Sequence, residues 1–208
     1  MRVSDSRRVL FVHVPKTGGS SVDRIFDREV PDSRRVEGRQ RHAPYGRLLR
    51  AEPELADYWS FGFVRNPWAR MVSYWTMVRD VFAKAEAGSA REIEKLRKQP
   101  EAWLPEGEYR DDFDRFVMEG TLALRKVGRP QVKTLTAGAR QVDFVGRLET
   151  FDRDIAVVRE RLGLPAVEAP PHVNRSKHGD YREYYSDQTR DHVAQVFAAD
   201  IEAFGYTF

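Results

Sequence analysis

The chain has 208 residues, 41% apolar and 32% charged, with 35 Lys and Arg against 32 Asp and Glu. A chain of this length buries roughly 70% of its unfolded surface in a single core, and a net charge of +3 is too small to point to nucleic acid without a concentrated patch. The absence of cysteine excludes a disulfide framework and thiolate chemistry, and no apolar run approaches the ~20 residues that span a bilayer.

No secretory signal is read in Met1 to Arg8, which run straight into the first strand, and a cysteine-free chain fits a reducing cytoplasm. Arg7 to His13 reads as a short buried strand and residues 20 to 29 as a helix. Between them, Pro15, Lys16, Thr17, Gly18 and Gly19 can gather backbone N–H groups, a positive helix end and an ammonium around one cluster of anionic oxygens. Lys16 precedes Gly18 and Gly19, whereas the nucleotide-triphosphate loop places its lysine after the last glycine, so that motif is excluded. Arg34, Arg35, Arg39, Arg41, Arg47 and Arg50 are opposed in their segment only by Glu37, which reads as a solvated loop or as a rim attracting an anionic ligand.

Tyr58 to Val64 form a second buried-strand pattern, followed by Arg65, Asn66 and Pro67. Asn66 is a good N-cap and Pro67 sits where a missing N–H costs nothing, so a helix over 67 to 86 is expected, with Met71, Tyr74, Trp75, Val78 and Phe82 as its core stripe. At about 100° per residue, Ser73 falls opposite that stripe, where it is open to a ligand. Residues 84 to 110, interrupted by Gly88, Pro100 and Pro105, read as a mobile helical excursion over an acceptor site. A helix at 111 to 119, a strand at 142 to 147 and a helix at 150 to 162 follow. The last helix, 187 to 204, is capped by Ser186 and stopped by Gly205, with Asp200 near its buried stripe as a structural carboxylate. Short buried strands alternating with helices imply an α/β fold with a mainly parallel sheet flanked by helices. Ligands of such sheets bind at the carboxyl ends of the strands, where Lys16 and Arg65 fall.

His13 to Gly19, with the order His-x-Pro-Lys-Thr-Gly-Gly, resembles the 5'-phosphosulfate loop of the sulfotransferases, in the form found in carbohydrate-type members. Arg65 with Ser73 eight residues on resembles the 3'-phosphate element of the same family. Asp143 to Glu149, His172 to Ser176 and Tyr184 to Tyr206 are similar to its tail pattern, while residues from about 80 to 130 match nothing. The resemblance implies one P-loop-like sulfotransferase domain over residues 1–208, with about 80–130 as a variable acceptor-side insertion. It implies 3'-phosphoadenosine-5'-phosphosulfate (PAPS, leaving as PAP) as co-substrate, and in-line transfer of its sulfuryl group to a hydroxyl of a carbohydrate or small metabolite that can itself be anionic.

The resemblance assigns donor contacts to Pro15, Lys16, Thr17, Gly18, Gly19, Ser20, Ser21, Arg65, Ser73, Arg147, Asn174, Ser176 and Lys177. Lys16 is the expected stabiliser of leaving-group charge, joined by the hydroxyls of Thr17, Ser20 and Ser21. His42 is the expected general base, since relatives carry a histidine there and an imidazole suits proton transfer near neutrality. His13 reads as a packed residue, His172, His178 and His192 have weaker claims, and Glu149 is the carboxylate alternative. No metal is expected, because the histidines lack a ligand spacing. A small-molecule kinase and a non-catalytic nucleotide-binding protein are the other readings; the kinase lacks the Gly-Lys-Ser/Thr order.

Overall fold

The computed structural model describes residues 1–166 and 179–208. In chain order the elements are β1 (Arg2–Ser4), β2 (Val9–Phe11), α1 (Gly19–Glu29), α2 (Tyr45–Ala51), β3 (Trp59–Val64), α3 (Pro67–Glu86), α4 (Ala90–Lys98), α5 (Pro100–Gly107), α6 (Phe113–Arg115), α7 (Thr121–Ala123), α8 (Val132–Leu135), β4 (Thr136–Ala137), β5 (Arg140–Gln141), β6 (Phe144–Arg147), α9 (Phe151–Arg161), α10 (Asp187–Val196) and α11 (Ala198–Phe204). They fall into two compact units, one of Met1–Arg65 and Gln131–Arg175, the other of Asn66–Pro130 and Ser176–Phe208.

The first unit holds a four-stranded sheet in the order β1-β2-β3-β6, with β2, β3 and β6 parallel and β1 antiparallel at the edge. The fold is therefore α/β with a mainly parallel sheet flanked by helices. Val9, Phe11, Phe61 and Phe63 project from the strands onto Val22, Ile25 and Phe26 of α1 and Phe151, Ile155 and Val158 of α9. Phe11 and Phe61 stack at 5.0 Å between centroids, and each such ring withdrawn from water contributes roughly 1.5–3 kcal/mol. Arg159 of α9 clamps Glu29 of α1 with two bonds of 2.9 and 2.6 Å, fixing the two helices side by side. Gly62 is required where β3 passes α8, because a Cβ there would meet Leu135 at 2.4 Å and the Val12 carbonyl at 3.0 Å.

In the second unit α3 starts as its sequence dictates, with the Asn66 side chain accepting from Trp68 and Ala69 N–H and Pro67 at the first turn. Its stripe packs with Trp103, Phe113, Phe116, Val193 and Phe197. Ser186 caps α10 in a reciprocal pair with Thr189, and Gly205 ends α11 at φ 63°. Asp200 is fully buried, as is Arg70, whose guanidinium feels the Asp200 charge and lies 5.6 Å from the Phe197 ring centroid. That is a structural role.

Three expectations are corrected. The helix read over 187–204 is two, since Phe197 turns fully into the core and breaks the ladder between α10 and α11. The helix read over 111–119 is α6 followed by a π turn, Phe116–Gly120, and then α7. Ser73 is 5% exposed, since α3 is buried all round through Trp75, so the ligand-open side that periodicity assigned it does not exist.

Candidate active site

The carboxyl ends of three adjacent parallel strands meet on one edge of the first unit. After β2 the chain runs through Val12 and His13 into the loop that begins α1; after β3 comes Arg65; β6 ends on Arg147, opposite Val64 in register. Lys16, Arg65 and Arg147 thus share the edge where such sheets bind ligands.

The loop owes its shape to two left-handed residues, Lys16 at φ 69° and Gly18 at φ 81°, on either side of Thr17. Alternation of this kind turns successive N–H groups into one concavity. Thr17 is fully buried and its hydroxyl donates to the Val14 carbonyl at 2.9 Å. The hydroxyl expected to meet the ligand is therefore committed to holding the loop, a correction to the sequence reading. Gly18 and Gly19 are both needed: a Cβ on Gly18 would meet Leu148 at 2.8 Å and one on Gly19 would lie 2.1 Å from His13 Nε2. The first turn of α1 contains no acidic residue and its N-cap supplies no side-chain acceptor, so the positive end of an 11-residue helix faces the loop uncompensated. Ser20 is exposed and accepts from Arg41 Nη2 at 3.1 Å, which leaves its own proton available. Ser21 is buried, its N–H bonded to the Gly18 carbonyl at 2.9 Å.

His42 is brought to this loop by a side-chain contact: its Nδ1 lies 3.1 Å from the His13 carbonyl, and the two rings meet edge to face at 4.5 Å. A carbonyl only accepts, so Nδ1 carries the proton and Nε2 is the basic nitrogen. Its pKa is lowered, first by desolvation, then by the electrostatic influence of the adjacent His13 ring and the charge of Arg41, while the bond to the His13 backbone opposes. The ring remains exposed to solvent, which tempers the desolvation, but every charge near it points the same way: the imidazole is neutral.

Asp23, one turn into α1, is the hub behind this pair. It accepts from Arg2 Nε at 3.1 Å and pairs with Arg41 Nη2 at 2.5 Å. Burial alone would raise its carboxyl, but His13 and Arg41 outweigh that and hold it well below the usual carboxylate range. His13 Nδ1 stands 3.6 Å from Asp23 Oδ2, too long for a hydrogen bond. Burial of the ring is the main cause that takes the His13 pKa down to about 4, so His13 is a neutral packed residue, as expected.

Arg65 is held by a residue the sequence did not single out. Gln131, fully buried, accepts the Arg65 N–H at 3.0 Å and donates to its carbonyl at 2.8 Å. The arginine side chain stays partly exposed at the strand end. Arg147 N–H donates to Asp154 at 2.7 Å, fixing the end of β6 against α9. Glu149 is exposed on the turn after β6. His192 bonds Thr121 at 2.9 Å in the second unit, where Ser73 also lies. Asn174, Ser176 and Lys177, with His172 and His178, lie outside the described residues. Of the basic segment, Arg34 pairs with Asp5 and Glu52, and Arg41 with Asp23, so the rim is less positive than its sequence suggests. Among the described residues no group of three or more His, Asp or Glu is placed to hold a metal ion, and no helix is long and apolar enough to cross a membrane.

A left-handed lysine-glycine loop at the end of a parallel strand, opening onto an uncapped helix and backed by strand-end arginines, defines an anion-binding α/β protein of the group-transfer kind. The family model described as Sulfotransferase family matches residues 1–207, and the chain belongs to that family. It is accordingly a sulfotransferase enzyme, whose reaction takes a sulfuryl donor and a hydroxyl-bearing acceptor. No curated protein matches the chain.

Proposed function

We propose that this sulfotransferase uses PAPS as donor and a hydroxyl of a carbohydrate or other small metabolite as acceptor. The observation that carries the reading is the loop itself: Lys16 and Gly18 left-handed around Thr17, two glycines that let the loop pass close against Leu148 and His13, and a helix end without a capping acid. Those features fit a 5'-phosphosulfate. The cysteine-free chain suits a reducing compartment, and the cytoplasm is the proposed location.

The donor, when bound, supplies a sulfuryl group on a phosphate that can leave as PAP. Backbone N–H groups from Thr17 to Ser20 and the Lys16 ammonium would hold the 5' side, Arg65 the 3'-phosphate, and Arg147 is carried as a further contact. His42 Nε2 takes the proton of the acceptor hydroxyl as the acceptor oxygen bonds to sulfur. In the same displacement the sulfur–oxygen bond to the 5'-phosphate breaks, leaving its electron pair on the phosphate oxygen. Lys16 then faces charge that grows along the reaction, where a fixed cation is worth most. His13 and Asp23 keep the base in place: the first supplies the carbonyl that sets the tautomer, the second anchors Arg41 beside it.

Calorimetric titration tests the donor. PAP should bind ten- to a hundredfold more tightly than AMP, since each charge-assisted bond to the extra phosphate contributes about 1.5–3 kcal/mol, and Arg65→Ala should erase most of that gap. Equal affinities for PAP and AMP in the wild type would overturn the assignment. His42→Ala should lose roughly 10²–10⁴ in turnover with PAP affinity kept.

A further inference from the structure

Arg41 and His42 occupy the two central positions of one turn, which the Ala43 N–H closes onto the Gln40 carbonyl at 2.9 Å. Each of the two side chains is tied to a different flank of the glycine loop. His42 Nδ1 meets the His13 carbonyl ahead of the loop, and Arg41 reaches the first turn of α1 behind it. There a single nitrogen, Nη2, lies 3.1 Å from Ser20 Oγ and 2.5 Å from Asp23 Oδ2. Ser20 and Asp23 are three residues apart, so they share one side of the helix and one guanidinium spans both. Asp23 is itself fixed, buried and held by Arg2 Nε at 3.1 Å. Both hydrogens of Arg41 Nη2 are thereby used, while Nε, although buried, has no partner among the described residues. The placement of the side chain is thus set by the serine and the aspartate and not by satisfaction of the whole guanidinium.

The consequence falls on Ser20. A guanidinium only donates, so Ser20 Oγ accepts from it and the hydroxyl's own proton points elsewhere. Ser20 is exposed at the positive end of α1, and Arg41 is its only side-chain partner among the described residues. An oxygen that accepts from a cation also makes its O–H the stronger donor. We propose that Arg41 is a positioning residue that ties the sulfuryl donor to the base: fixed on Asp23, it turns the Ser20 hydroxyl proton into the anion site and, from the neighbouring position of the same turn, keeps a positive charge beside His42. A cation there disfavours the imidazolium, so the base meets the acceptor hydroxyl unprotonated. The other groups that act on His42 are the His13 ring and the Met1 amine, whose influence runs the same way, while the carboxylate behind them, Asp23, is paired with Arg2 and Arg41. This rests on the proposed transfer reaction and adds a residue to it.

Two readouts that need no acceptor test it. Calorimetry measures PAP affinity in the wild type, Ser20→Ala, Arg41→Met and the double variant. Ser20→Ala should weaken PAP about tenfold. Arg41→Met should weaken it about fivefold with Ser20 present and less than about twofold with Ser20 absent, because the arginine acts through that hydroxyl. Nuclear magnetic resonance follows the titration of the His42 ring, identified by the loss of its signal in His42→Ala. In Arg41→Met the midpoint should move up by about half a pH unit or more, since a cation is removed and the Asp23 carboxylate loses a partner; in Arg41→Lys, which keeps the charge, it should stay within about 0.2 of the wild type. A residue that merely shaped the turn would move the midpoint alike in both variants. Arg41→Gln, also neutral, replaces Arg41→Met if the latter does not unfold cooperatively. Additive losses of PAP affinity, or a His42 midpoint that is unchanged in Arg41→Met or moves as far in Arg41→Lys, would overturn the proposal. A wild type that binds no PAP strikes the donor assignment instead, and inorganic pyrophosphate titrated into the same four proteins then decides the Ser20 link separately, with the His42 midpoints judged as before.

Discussion

Gly19→Ala adds one methyl group at the first residue of α1, and its cost can be worked from the contacts it would meet. The new Cβ would lie 2.1, 2.3 and 2.6 Å from three atoms of the His13 ring, whereas carbon and nitrogen rest at about 3.5–4.0 Å. The ring must therefore move by more than an ångström, yet it is 3% exposed and its centroid lies 5.2 Å from that of Phe11. Overpacking of this kind costs about 1–3 kcal/mol, and the gain in helix propensity from Gly to Ala returns at most ~1. A net loss of about 1–2 kcal/mol lowers Tm by roughly 2–8 °C in a chain of this size. Because His13 also supplies the carbonyl that orients His42, PAP affinity and turnover should fall together with Tm. The decisive measurement is a double-mutant cycle by thermal unfolding: in a His13→Ala background the methyl has space, so Gly19→Ala should cost at least ~1 kcal/mol less than in the wild type. Strictly additive effects, or a Gly19→Ala protein with wild-type Tm, would refute the steric reading of this glycine.

Acid sensitivity should follow His13. Its pKa, about 4 in the fold against an ordinary value near 6.5, makes the unfolded chain bind the extra proton between those limits, so stability is complete above pH 6.5 and falls as pH drops towards 4, by roughly 2–4 kcal/mol; His13→Gln should flatten urea midpoints over that window, and an unchanged slope would remove the ring from the account. Gln131→Leu leaves the Arg65 N–H and carbonyl without partners at a cost of about 1–3 kcal/mol, and PAP affinity should drop while AMP affinity is nearly kept, a difference titration reads directly. Lys16→Gly should keep stability within about 1 kcal/mol, because the left-handed strain it relieves offsets the unfolded-chain entropy it adds, yet lower single-turnover rates at least a hundredfold; a variant that turns over normally would reduce Lys16 to scaffolding.

The parts of this architecture that are local in sequence were legible. Asn66 and Pro67 begin α3, Ser186 begins α10 and Gly205 ends α11, because a cap, a fixed φ and a left-handed stop are each decided within four residues. The strands β2, β3 and β6 were recognisable as short apolar runs, and the loop as glycines after a lysine. What escaped is set by partners far along the chain. The antiparallel edge strand β1 is fixed by its ladder to β2 and by Val3 bridging Arg34. Gln131 reaches Arg65 across 66 residues, and nothing in the sequence around it announces a clamp. Asp23 could have been found, since it shares a helix face with Ser20 and Arg24, but its use by Arg2, Arg41 and His13 depends on the sheet bringing all three together. Ser73 went wrong for a related reason: helical periodicity assumes one buried face, and α3 is buried on every side over its first half.

The loop stands out from the fold around it by its backbone as well as by its sequence. Among the described residues, Arg8 and Lys16 are the only non-glycine positions that hold positive φ, a backbone state that costs about 1–2 kcal/mol for a residue with a Cβ. A glycine at 16 would adopt it without strain, as Gly18 does two residues later, so stability alone gives no reason to place a lysine there. The strain is tolerated where the surrounding structure over-determines it: Thr17 bonded to Val14, Gly18 pressed against Leu148, and Gly19 roofed by His13. Three contacts, from His13 beyond β2, from the turn after β6 and from the loop itself, thus hold the backbone of a charged residue in a conformation it would not choose, at the end of a parallel strand and the start of a helix with no acid in its first turn. Each of those features separately admits a structural explanation. A lysine, a nest of N–H groups and a helix N-terminus at one strand end suit an anion, and in the proposed transfer that anion gains charge as the reaction proceeds, where such a cluster would contribute most.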